Sequence, residues 1–128
     1  MVGIVVVSHS TDLARGVKDL AGQVAGPDVR IEAAGGGPDG TLGTEEARVR
    51  EAIERADQGD GVVVLCDLGS AVLTVRHLLS ERNGNGGVVL ADAPLVEGAV
   101  AAAVMSSAGM DLGDVTSAAE EARGASKL

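Results

Sequence analysis

A chain of 128 residues and 12.7 kDa, 45% hydrophobic and 23% charged, has the size and make-up of one folded domain over residues 1–128, which excludes a disordered chain. It has no Phe, Tyr or Trp, so the core must be aliphatic and no ring is available to stack on a nucleobase. A net charge of −9 and a pI near 4.5 work against phosphate backbones and anionic membranes, so neither nucleic acid nor membrane is expected as a partner.

The first apolar run, residues 4–7, is Ile-Val-Val-Val. Continuous and Val-rich, it reads as a strand buried on both faces of a parallel sheet. Leu13, Val17, Leu20 and Val24 then recur at spacings of four, three and four, which predicts an amphipathic helix. Ser10, Thr11 or Asp12 can cap its start, and Gly26-Pro27 stops it. Residues 29–31, Val-Arg-Ile, alternate as an edge strand does. A glycine-rich stretch over residues 35–40 follows and reads as a flexible, exposed loop. Thr44, Glu45 and Glu46 open a second helix that carries Val49, Ile53 and Ala56 on one face and ends near Gly59. Residues 62–65 form a third strand, and residues 70–79 a third helix. A loop over residues 83–87 leads to a fourth strand at residues 88–90. Pro94 opens an Ala-rich helix to about Ser107, and a last helix covers about residues 112–122. This alternation predicts an α/β fold: a mostly parallel central sheet of four or five strands with helices on both faces.

In open parallel sheets, sites form beyond the carboxyl ends of the strands. Ser8-His9-Ser10 follows the first strand and Cys66-Asp67-Leu68-Gly69-Ser70 the third. If those strands are neighbours, the Asp67 carboxylate can reach the His9 imidazole. A carboxylate on one ring nitrogen sets the tautomer and leaves the other nitrogen as a nucleophile. The plainer readings are a loop histidine bonded to backbone and an aspartate capping the third helix. Gly69 and Ser70 sit where free N–H groups and a helix dipole favour a phosphoryl group, or where a simple turn begins. His77 reads as a surface histidine and Cys66 as a small core residue. Asp92 and Glu97 fall near the same edge as solvated charges. A single cysteine excludes an internal disulfide and a zinc-finger site, and no phosphate-binding GxxxxGK motif is present. Met1-Val2-Gly3-Ile4 lacks the basic start of a signal peptide, and the apolar stretch at residues 99–105 is too short to span a bilayer, so a cytoplasmic location is expected.

Val7-Ser8-His9-Ser10, Asp67-Leu68-Gly69-Ser70-Ala71, Gly43-Thr44 and residues 93–98 (Ala-Pro-Leu-Val-Glu-Gly) together resemble mannose-type enzyme IIA domains. Within that family they resemble the phosphotransferase subunit of phosphoenolpyruvate-dependent dihydroxyacetone kinases. The sugar-transport branch has a longer Gly-Gly-Ser-Pro turn after the aspartate; this chain has the short form. The resemblance implies that His9 accepts a phosphoryl group from the histidine-containing phosphocarrier protein and that Asp67 orients it. Ser10, Gly69 and Ser70 would help hold the phosphoryl oxygens. The acceptor would be ADP bound on the kinase's nucleotide subunit. The resemblance further implies a homodimer, a covalent phosphohistidine intermediate, and no separate cofactor or metal. Two other readings stay open: a IIA domain serving a sugar transporter, and a non-catalytic α/β interaction module.

Overall fold

The computed structural model describes residues 1–37, 41–82 and 86–128. The chain runs β1 (Gly3–Ser8), α1 (Thr11–Ala25), β2 (Ile31–Gly35), α2 (Glu46–Ala56), β3 (Val62–Cys66), α3 (Gly69–Ser80), β4 (Val88–Leu90), α4 (Leu95–Ser107) and α5 (Leu112–Glu121). A short 3-10 turn, Ala122–Gly124, follows α5. Among the described residues the sheet has four strands in the order β2-β1-β3-β4, and every pair is parallel. The expected fold class is therefore the observed one.

β1 lies inside the sheet, between β2 and β3. Its side chains alternate between two aliphatic cores. Ile4 and Val6 point into the layer formed by α1, α4 and α5, together with Val63 and Leu65 of β3. Val5 and Val7 point into the layer formed by α2 and α3, together with Val62 and Val64. All of these residues are fully buried. Each buried Val or Ile contributes about 1.5–3 kcal/mol, which is how a core without aromatic rings holds. Alanines do the rest: Ala99, Ala102 and Ala103 of α4 are buried and let the helices lie close to the sheet.

Three expectations are corrected. Residues 29–31 only lead into the second strand, which starts at Ile31 and ends at Gly35. Val29 and Ile31 are buried, but pairing with β1 begins at Ile31. Small residues at 33–35 hid the strand, because Ala and Gly carry little β-propensity. The glycine-rich stretch is not exposed where it is described. Gly35 is in β2, and Gly36 and Gly37 are buried; residues 38–40 lie outside the described residues, as do residues 83–85 of the second expected loop. A Cβ on Gly35 would stand 2.7 Å from the Ser10 carbonyl oxygen, so the close approach of α1 to β2 requires glycine there. Third, α1 turns a different stripe to the core. Ala14, Val17 and Ala21 are buried, whereas Leu13, Leu20 and Val24 are 43%, 45% and 52% exposed. No helix among the described residues is long and apolar enough to cross a membrane.

Candidate functional site

Parallel strands bring their carboxyl ends to one edge. β1 and β3 are in register with Val7 opposite Cys66, and the Asp67 N–H donates to the Val7 carbonyl. This places Ser8 and His9 beside Asp67 although 58 residues separate His9 from Asp67 in sequence. His9 Nδ1 lies 2.9 Å from Asp67 Oδ1. The other carboxylate oxygen, Oδ2, accepts from the His9 backbone N–H at 3.0 Å and from the Ser8 hydroxyl at 2.9 Å. The Leu68 N–H adds a fourth bond, to Oδ1. Burial alone would raise the Asp67 carboxyl, but these four hydrogen bonds outweigh it and hold the group below the ordinary aspartate range. Asp67 is thus an anion, and the proton between it and His9 resides on Nδ1. The lone pair of the neutral ring is then on Nε2.

Nε2 faces the Ser70 hydroxyl, which is in direct contact with it. Ser70 is the second residue of α3, after Gly69. The helix's own ladder starts with Ala71 and Val72 donating to the Leu68 carbonyl, so the N–H groups of Gly69 and Ser70 precede it. Both residues are exposed. Asp67 does not cap α3; Leu68 holds that position without a side-chain bond. Ser10 does cap α1, accepting from the Leu13 N–H at 3.2 Å.

Residues beyond those singled out from sequence complete the frame. Ser8 is fully buried, and besides binding Asp67 it accepts from the Ser10 N–H at 3.0 Å. A polar residue ending an otherwise apolar strand was the available signal, since a buried hydroxyl needs partners. The Gly36 N–H donates to the Ser8 carbonyl and the Gly43 N–H to the His9 carbonyl, so the segment after β2 braces the histidine from the other side. Thr11 and Arg48 both donate to the Gly35 carbonyl and pin the end of β2 to α1 and α2.

Other candidates lie elsewhere. The Asp92 N–H donates to Glu120, and its side chain pairs with Arg123 at 3.3 Å, so Asp92 ties the chain after β4 to the C-terminal helix. Glu97 pairs with Lys127 at 3.5 Å. Cys66 is buried next to Asp67, and burial together with that charge pushes its thiol up to about 12. His77 is on the surface of α3, as expected.

An imidazole held by a partly buried carboxylate, with its second nitrogen against an exposed serine, sits at the carboxyl edge of a parallel α/β sheet. The family described as EIIA-man, PTS system fructose IIA component, matches residues 3–116, and the chain belongs to that family. Within it, the chain is 43% identical over 103 residues to the PEP-dependent dihydroxyacetone kinase 1, phosphoryl donor subunit DhaM, of Listeria innocua, covering 79% of this chain and 78% of that one. It is 40% identical over 121 residues to the PEP-dependent dihydroxyacetone kinase, phosphoryl donor subunit DhaM, of Escherichia coli, covering 90% of this chain but 25% of that longer protein. A crystal structure described as that of unknown function protein EF1359 superposes with a TM-score of 0.83 at 30% identity, covering 94% of this chain and 95% of the other.

Proposed function

We propose that this chain is a phosphohistidine carrier, the phosphoryl-donor subunit of a phosphoenolpyruvate-dependent dihydroxyacetone kinase. The observation that carries the reading is the His9–Asp67 pair, which turns Nε2 toward the exposed Ser70. In the forward step Nε2 attacks the phosphorus of the donor's phosphohistidine. The donor's P–N bond breaks as the new one forms, and Nδ1–H stays on His9. The ring that results carries positive charge, which the Asp67 anion stabilises at 2.9 Å. Ser70, displaced from Nε2, donates with Ser10 and the Gly69 N–H to the phosphoryl oxygens. The second step reverses this geometry toward ADP.

The donor in this reading is the histidine-containing phosphocarrier protein, and the acceptor is ADP on the kinase's nucleotide subunit. The names of the dihydroxyacetone kinase relatives and the short turn after Asp67 support that acceptor over a sugar-transporter domain. The exposed Leu42 and Leu68, next in sequence to Gly43 and Asp67, offer a shallow aliphatic rim for two partners in turn. A homodimer in the cytoplasm belongs to the same reading. This chain's part in the transfer is positioning and charge stabilisation by its own residues.

The test is intact-protein mass after incubation with phosphoenolpyruvate, enzyme I and the phosphocarrier. Wild type gains one acid-labile phosphoryl group, and His9→Ala gains none. Labelling of the alanine variant would remove His9 as acceptor. Addition of the nucleotide subunit with ADP then discharges the label as ATP; discharge to a transporter domain instead would make this a sugar-system protein.

A further inference from the structure

The second histidine of the chain repeats the chemistry of the first in another place. His77 is on α3, 61% exposed, between two carboxylates. Its Nδ1 lies 3.1 Å from Glu46 Oε2 of α2, within hydrogen-bond range. Its Nε2 lies 3.4 Å from Glu81 Oε1, four residues on. That second separation is longer than a normal N–H···O bond. It fits another geometry: with Zn–N about 2.0–2.1 Å and Zn–O about 2.0–2.2 Å, two ligand atoms of a tetrahedral ion stand about 3.3–3.5 Å apart. Ligand atoms of the three residues lie within 4.8 Å of one another.

We propose that His77 Nε2 and Glu81 Oε1 form a two-point site for a divalent cation of the zinc class, with Glu46 as the carboxylate behind the ring. Residues four apart on a helix share a face, so α3 supplies both ligands without rearrangement. Glu46 has one oxygen held by Arg50 at 3.1 Å, which leaves the other to fix Nδ1–H. A carboxylate in that position sets the tautomer that exposes the Nε2 lone pair and makes the ring a better ligand. Water fills the remaining coordination. Imidazole with carboxylate favours zinc, nickel or copper over magnesium, which prefers oxygen alone. The ion would clasp α2 to α3 through Glu46.

Titration of the whole chain with zinc chloride, followed by calorimetry and by the ring resonances of the two histidines, tests this. One saturating site per chain that shifts the His77 ring is the expected result. His77→Ala removes the site, and Glu81→Gln weakens it at least tenfold. Glu46→Gln weakens it about 10- to 100-fold by loss of the orienting bond. Circular dichroism of each variant checks that the fold is kept. No saturation below about 1 mM zinc would overturn the proposal. So would binding that survives His77→Ala and is lost in His9→Ala, which would put the ion on the phosphorylatable pair instead.

Discussion

At His9 the deciding quantity is one proton. Asp67 accepts four hydrogen bonds and is held below the ordinary aspartate range, so the ring keeps its proton on Nδ1 and presents Nε2. Asp67→Asn keeps the shape and removes the charge. A hydrogen bond to a charged group is worth about 1.5–3 kcal/mol, so phosphoryl transfer to His9 should slow about 10- to 100-fold, measured as the initial labelling rate. An unchanged rate would take Asp67 out of the step. The same carboxylate ties stability to pH. Its folded value lies below its unfolded one, so its contribution is full above about pH 4 and is lost as pH falls through the lower folded value. The stability gap between wild type and Asp67→Asn, read from urea midpoints, should therefore be wide at pH 6 and shrink as pH falls below about 4. A constant gap would mean that the charge is not what stabilises. Cys66 titrates in the other direction: with its thiol pushed up to about 12, almost no thiolate exists at pH 8. A disulfide reagent at pH 8 should modify it only at the rate of unfolding; immediate reaction in the native state would contradict its burial.

Among the elements, α1 shows best what periodicity can and cannot deliver. Leu13, Val17, Leu20 and Val24 predict a helix, and the helix is there. The predicted buried face is wrong for all but Val17. Burial follows the smaller residues Ala14 and Ala21, because α1 packs so near β2 that a Gly35 Cβ would lie 2.9 Å from the Ala14 methyl. The exposed Leu20 and its neighbours are then free for a second copy of the chain. If the homodimer uses them, Leu20→Glu sediments as a 12.7 kDa species where wild type sediments at twice that mass; a dimeric Leu20→Glu places the interface elsewhere. Close approach also governs β1. A Cβ on Gly3 would stand 2.1 Å from the Ala56 carbonyl oxygen, at the end of α2. Gly3→Ala must push backbone, so it should destabilise by about 1–3 kcal/mol in urea unfolding, as overpacking typically does. No change would mean that the N-terminal end of β1 yields freely.

Across the whole molecule, the parallel sheet is what converts three strand ends into a site. Strands running the same way must place Ser8, Gly35 and Asp67 at one edge, and the order β2-β1-β3 puts the first strand between the two segments that brace its histidine. Three of the four strands were legible because short Val-rich runs at residues 4–7, 62–65 and 88–90 stand between turn or loop residues, whereas the Ala and Gly of β2 hid it. The helices were legible from their caps and periods. The site was legible where chemistry-bearing residues follow strands, at His9, Asp67, Gly69 and Ser70. Ser8 was legible as part of the motif but not in its role, which depends on its being buried against Asp67.

Alternation of apolar runs, helix periods and turn residues is local information, so the amino-acid order alone set the fold class, the element sequence and the positions of a histidine after one strand and an aspartate after another. Strand order, the true inward face of α1 and the burial of Gly36 and Gly37 are outcomes of packing between distant segments. Distance is the physical reason: a hydrogen bond of 2.9 Å between His9 and Asp67 exists only once β1 and β3 are in register, and no spacing along the chain encodes that register.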